Sequence, residues 1–333
     1  MKVATIGTTA WGTTLGAMLA RRGIDVALWA RTKEEAERLG QERENTARLP
    51  GIPFPEGLCP TSSVEEALTG ASLVILAVPS HKMRQNVRHI KGHIDEGMIV
   101  LSATKGLEMD TTKRMSQVTA EELGPPCNQN ICVLSGPNLS GEIARGLPAT
   151  TVIAAQDADV AKRAQEIMAS ANFRVYTNND VAGVELGGAL KNVIALAAGL
   201  SDGLGYGDNA KAALVSRGLA EISRLGVAMG ASPLTFAGLA GLGDLVATCS
   251  SPLSRNRFVG EELAKGRPLA EITASMNSVA EGINTTVVAR QIAQEHGVEM
   301  PITEQVYRVL FKGIEVPQAM AALMERELKQ ELI

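Results

Sequence analysis

The sequence predicts an α/β N-terminal domain followed by an all-α C-terminal domain. Three observations predict it. Short apolar runs alternate with helically spaced stretches through about residue 176. The run SLVILAV at 72–78 is continuous, branched and uncharged, as a strand covered on both faces of a parallel sheet must be. Beyond residue 176 strand-like runs stop and long helical stretches take over. Taken in order, residues 3–6 are a short apolar strand closed by Gly7, and 11–22 have helical spacing. A second strand at 25–30 precedes a charged helix at 33–39, and the buried strand at 72–78 follows. Further strands are expected at 98–101, 131–134, 150–154 and 174–176. Alternation of this kind implies an α/β sheet with right-handed crossovers. The main helices of the second part are expected at 181–199, 209–230, 255–265 and 285–296. The boundary falls near Asn178-Asn179-Asp180, giving domains 1–179 and 180–333.

Composition excludes several function classes. The 333 residues carry a net charge of −4 and only 3% aromatics. Nucleic-acid binding needs a basic footprint, and single strands need a stacking platform. The 4 cysteines are scattered without a CxxC pair, and none of the 4 histidines sits in an HExxH pattern, so no metal site is expected. No run approaches the roughly 18 apolar residues of a membrane span. The apolar stretch at the N-terminus is too short for a signal peptide. A reducing, cytoplasmic setting without membrane insertion is expected.

The first motif follows the first strand. Gly7-Thr8-Thr9-Ala10-Trp11-Gly12 has the frame of GxGxxG, with Thr9 in place of the middle glycine. Such a Rossmann-like loop turns tightly, approaches a pyrophosphate and packs onto a helix whose N-terminus favours anions. Alone, it also fits a strand-to-helix turn without a ligand. The Thr9 Cβ is expected to crowd a pyrophosphate. NAD sites usually place an acid at the end of the second strand. Here Ala30-Arg31-Thr32-Lys33 stands there, which favours the 2′-phosphate of NADP over NAD or is simply a solvated basic helix start.

The second half is more informative. In VELGGALKN at 184–192, Gly187 and Gly188 lie four residues before Lys191 and Asn192, on shared helix faces, where they are expected to clear space for both. A lysine on so apolar a helix needs a partner or must snorkel to solvent. Asp244 sits in the glycine-rich GLAGLGDL at 238–245. Ser254-Arg255-Asn256-Arg257 opens a helix and reads either as a phosphate receptor or as a plain cap with solvated arginines. Eleven glycines fall between residues 199 and 260, and they are expected where backbone passes close to a small ligand.

Together with AVPSH at 77–81, SATKGLE at 102–108, LSGPN at 134–138 and VAEG at 279–282, these segments resemble the bacterial-type NAD(P)-dependent glycerol-3-phosphate dehydrogenases over essentially the whole chain. The resemblance implies reduction of dihydroxyacetone phosphate to sn-glycerol 3-phosphate, the backbone for glycerophospholipids. It implies Lys191 as acid–base residue, with Lys105 and Asp244 as its catalytic companions. Cofactor contacts carried over by the resemblance are Thr9, Ala10, Trp11, Arg31, Lys105, Ser140, Arg255, Val279 and Glu281. Substrate contacts so implied are Lys105, Gly136, Lys191, Asn192, Asp244, Thr248, Ser254, Arg255 and Asn256. For Val279 and Glu281 to reach the cofactor, the helical domain must close over the first. A homodimer is implied too. Two other readings remain: a related reductase of a 3-hydroxy acid or ketopantoate, and a non-catalytic nucleotide-binding protein.

Overall fold

The computed structural model describes residues 1–276, 279–328, 330 and 331. Its first half holds an eight-stranded sheet. The strands are β1 (Lys2–Ile6), β2 (Asp25–Trp29), β3 (Leu58–Thr61), β4 (Ala71–Leu76), β5 (Ile99–Ser102), β6 (Ile131–Ser135), β7 (Ala149–Ala155) and β8 (Phe173–Asn178). Spatial order is β3-β2-β1-β4-β5-β6-β7-β8. Connecting helices are α1 (Ala10–Ala20), α2 (Lys33–Glu42), α3 (Val64–Leu68), α4 (Met83–Ile90), α5 (Met115–Leu123), α6 (Ser140–Ala144) and α7 (Ala158–Met168). Alternate strand residues bury into two cores. Val3, Leu28, Leu73 and Ile75 face one, and Ala4, Trp29, Val74 and Leu76 the other. That two-sided burial is why SLVILAV has no polar alternation. Strand order reverses between β1 and β4, so their carboxyl ends, at Gly7 and Ala77, form the switch-point crevice where such sheets bind ligands.

The sheet is mostly parallel, but β7 pairs antiparallel with β6, and β8 runs parallel to β7. The five-residue α6 between β6 and β7 spans only about 7.5 Å, too little to return the chain along β6, so it re-enters from the same end. Strand β3 was not among the expected strands, and its Pro60 is a residue that strand interiors disfavour. It is tolerated because β3 is an edge strand, paired only with β2.

The second half is helical: α8 (Val181–Gly203), α9 (Gly207–Ala228), α10 (Pro233–Ala237), α11 (Asp244–Ser250), α12 (Arg255–Ala264), α13 (Leu269–Ala274), α14 (Glu281–Glu295), α15 (Pro301–Lys312) and α16 (Val316–Met324). A π-helical turn, Leu239–Gly243, precedes α11. Helix α8 is the axle, packed by α9, α11, α12 and α14, and every residue from Gly183 to Ser201 is buried. Among the described residues α8 is long and apolar enough to cross a membrane, a length that Glu185 and Lys191 hid from a search for unbroken apolar runs. Within its most apolar window 89% is buried inside the protein, as in a core helix. Helix α14 starts at Glu281, four residues before the expected 285.

Part of the glycine enrichment serves helix packing. A Cβ at Gly199 would stand 2.0 Å from the Arg257 carbonyl oxygen, and one at Gly260 would stand 2.1 Å from that of Leu196. These glycines let α8 and α12 cross nearly backbone to backbone.

Candidate active site

Helix α8 starts with Asp180 as its cap. One carboxylate oxygen accepts from Gly183 N at 2.8 Å, and the other accepts from Ser232 N at 2.9 Å and Thr235 Oγ1 at 2.6 Å. Three turns further on, Lys191 is 6% exposed. Its Nζ donates to Asp244 Oδ1 and, at 2.6 Å, to Thr248 Oγ1. Asp244 opens α11 and is 1% exposed. Its second oxygen accepts from Lys105 Nζ at 2.6 Å, which also donates to Gly136 O at 2.8 Å. One carboxylate thus bridges two ammonium groups from opposite halves of the chain. An ammonium has three N–H groups, so each lysine keeps one beyond its two protein partners among the described residues. Burial pushes Lys191 down to about 8; Asp244 opposes this by favouring the charged form, and Lys105 adds to it.

Gly136 has φ +146, and a Cβ there would meet the Thr151 backbone at 3.1 Å, so glycine frees its carbonyl to hold Lys105. The glycines of α8 play another part than expected. A Cβ at Gly187 would strike the Ala240 carbonyl oxygen at 2.6 Å, and one at Gly188 would strike Ser135 Oγ at 2.3 Å. They bring the π-helical turn and β6 against α8, which places Lys191 beside Asp244.

Helix α12 presents the second feature. Ser254 caps it, accepting from Arg257 N at 3.3 Å. Its first-turn N–H groups point where an anion is stabilised. The Arg255 side chain is exposed and makes no hydrogen bond or salt bridge among the described residues. Asn256 is more committed than expected: it donates to Asn192 Oδ1 at 2.8 Å and accepts from Gly282 N at 2.9 Å. It knits α8, α12 and α14 and keeps one amide N–H to spare.

The cofactor candidates line the switch-point crevice. Gly7 has φ +110 and Gly12 lies so close that a Cβ would meet Gly7 O at 2.2 Å, the tight turn and close packing the motif requires. Thr9 has φ −64, open to any residue, and its hydroxyl accepts from Gly12 N at 3.0 Å and donates to Ala77 O at 2.7 Å. The hydroxyl is turned into the junction of α1 and β4 as a helix cap. Thr9→Val keeps the shape without the acceptor. It should cost about 1 kcal/mol, read as a melting temperature lowered by about 2 °C.

The first-turn N–H groups of Ala10 and Trp11 lie at the start of α1, where a helix can offer them to an anion, and the buried Trp11 indole N–H has no partner among the described residues. Arg31 is exposed just past β2. These features fit a dinucleotide. Ser140 begins α6, and its carbonyl accepts from Thr14 of α1 at 3.2 Å. Glu281 does cross between the domains: its carboxylate accepts from Ser80 N at 3.0 Å and Ser80 Oγ at 2.5 Å. Val279, 37% exposed, lies two residues before it. Sequence reasoning missed Glu185, which binds the start of α5 from α8. The available signal was the one that marked Lys191, a charge on an apolar helix.

A cavity of about 580 Å³ lies between the β7–β8 edge and α10. Neither lysine nor Asp244 lines it.

The model of the NAD-dependent glycerol-3-phosphate dehydrogenase N-terminus matches residues 2–161, and that of the C-terminus matches 180–321. A glycerol-3-phosphate dehydrogenase (NAD(P)+) of Dehalococcoides mccartyi is 55% identical over 332 residues, 99% of this chain and 92% of that one. That of Moorella thermoacetica is 49% identical over 330 residues, 99% and 97% of the two. The crystal structure of glycerol-3-phosphate dehydrogenase from Coxiella burnetii superposes with a TM-score of 0.93 at 38% identity, covering 98% of this chain and 99% of that one. A ketopantoate reductase from Ralstonia eutropha, at 17% identity and a TM-score of 0.58, shares the fold. With both halves matched in order and the two lysines meeting across them, the chain belongs to the NAD-dependent glycerol-3-phosphate dehydrogenase family.

Proposed function

We infer that this chain reduces dihydroxyacetone phosphate to sn-glycerol 3-phosphate, the backbone of glycerophospholipids, in the crevice between its two domains. The observation that carries the assignment is the Asp244 bridge between Lys191 and Lys105. Bound NADPH or NADH supplies the hydride for the ketone carbon. As the carbonyl oxygen becomes an alkoxide, Lys191 Nζ delivers its remaining proton to it, and Lys105 adds positive potential. Asp244 holds both ammonium groups in place. The substrate phosphate rests at the α12 N-terminus with Arg255 and the spare N–H of Asn256; Asn192, Thr248, Ser254 and Gly136 shape the pocket. Thr9, Ala10, Trp11, Ser140, Val279 and Glu281 border the cofactor. Arg31 reads a 2′-phosphate, so NADP is preferred to NAD.

We also take the domains as 1–179 and 180–333 and propose a homodimer in the cytoplasm. The four unpaired cysteines, one of them exposed, suit a reducing compartment.

The test is a steady-state assay. Wild-type protein is expected to oxidise NADPH with dihydroxyacetone phosphate and barely with unphosphorylated dihydroxyacetone. Preference for the unphosphorylated ketone would favour the related-reductase reading. In the same assay Arg31→Ala should weaken NADPH by about tenfold, the scale of one charge-assisted hydrogen bond, with NADH little changed. Equal losses would remove Arg31 from 2′-phosphate recognition.

A further inference from the structure

Lys105 and Lys191 come from different domains, yet both end on Asp244. The segment carrying Lys105 runs from the end of β5 to the start of α5 and needs anchors to stand there. One anchor lies within the first domain. Arg84 of α4 donates from Nε and Nη2 to the two oxygens of Glu108 at 2.8 and 2.7 Å. The other crosses to the helical domain. Glu185 of α8, 9% exposed, accepts from Ser116 N at 2.8 Å, Ser116 Oγ at 2.5 Å and Arg114 Nη1 at 2.5 Å.

This contact answers a local need. Arg114 occupies the cap position of α5, and Ser116 is its second helical residue. An arginine side chain has no acceptor to offer the exposed N–H groups of a helix start. The Glu185 carboxylate supplies that acceptor and a negative charge at the positive helix end. Glu185 stands six residues before Lys191 on the same rigid helix, about 9 Å along its axis. The rigid helix therefore links the corner at Arg114–Ser116 to Lys191.

We propose that Glu185 is a positioning residue: by clamping the start of α5 to α8, it sets where Lys105 Nζ stands relative to Asp244 and Lys191. The inference rests on the reading of those three residues as the reacting set. Glu185 itself touches neither lysine; it acts through the segment that carries Lys105.

A double-mutant cycle tests this on the full chain, with kcat for dihydroxyacetone phosphate at saturating NADPH measured for Glu185→Ala, Lys105→Ala and the pair. Glu185→Gln, which keeps the volume and one acceptor, is run beside it and replaces the alanine variant if that does not fold. A displaced Lys105 should lower kcat by about tenfold, within the scale for small misplacements. In the Lys105→Ala background the same change should have less than about a twofold effect, because coupled residues are not additive. The alkaline limb of kcat should also move up, since Lys105 is the cation pressing on Lys191. Asp244 of α11 is the other charged group acting on Lys191, and the Cys249 thiol of the same helix, which burial pushes up to about 12, stays neutral beside it; neither is altered. Glu185→Gln should fall between wild type and Glu185→Ala.

If the Glu185 and Lys105 effects multiply, or if only the melting temperature falls while kcat and its limb stay put, the clamp is structural and the proposal fails. If Lys105→Ala alone leaves kcat unchanged, the reading of the lysine pair fails and takes the proposal with it.

Discussion

Lys191→Ala should lower turnover of dihydroxyacetone phosphate by about 100-fold or more, the usual scale for losing an acid–base group, with NADPH affinity near wild type. The selectivity follows from the structure. Lys191 lies on α8 and contacts Asp244 and Thr248, whereas the GxGxxG-like loop and Arg31 belong to the first domain. Truncation leaves Asp244 paired with Lys105, so no buried carboxylate is stranded. Single-turnover kinetics with a separate cofactor titration would check this. Turnover within a few-fold of wild type would remove Lys191 from the proton transfer.

Asp244→Asn should be nearly as damaging by a different route. Asp244 carries the charge that opposes burial and Lys105 in setting the Lys191 proton affinity. Without it the Lys191 pKa falls further below its already lowered value of about 8, and near neutrality the residue lacks the proton it must give. Two ammonium groups are also left facing each other without a counter-charge. Removing one partner from a buried ion pair costs about 3 kcal/mol, so a melting temperature lowered by several degrees should accompany an activity loss of about 100-fold. A variant as stable and active as wild type would show that the bridge matters to neither.

How much of this was legible in the sequence depends on the range of the contacts. The apolar strands and α8 stood out because their burial is periodic or continuous along the chain. Lys191 and Asp244 stood out as charges in apolar or glycine-rich surroundings. Their meeting did not: Lys191 and Asp244 lie 53 residues apart, and Lys105 and Asp244 lie 139 apart. No local pattern encodes that. The reversal of β7 was hidden for a similar reason, because strand direction is set by how α6 returns the chain. Strand β3 was not expected, and its Pro60 is a residue that an edge strand tolerates and a central strand disfavours. Gly199 and Gly260 gave a clear signal of close approach, and the neighbour they admit is helix backbone. Thr9 appeared as a defect in a glycine motif, yet its hydroxyl replaces the lost flexibility with a helix cap. Glu185 was visible as a charge on a buried helix, but its role needs the position of α5.

The central claim is that Lys191 gives the proton, with its affinity lowered by burial and Lys105 and held up by Asp244. The pH dependence of kcat for the reduction tests it most directly. The proton must be present, so kcat should fall as pH rises through about 8. That limb should move up in Lys105→Met, which removes a neighbouring cation, and down in Asp244→Asn, which removes the opposing anion. A profile that stays flat to pH 10, or a limb that neither substitution moves, would contradict the account.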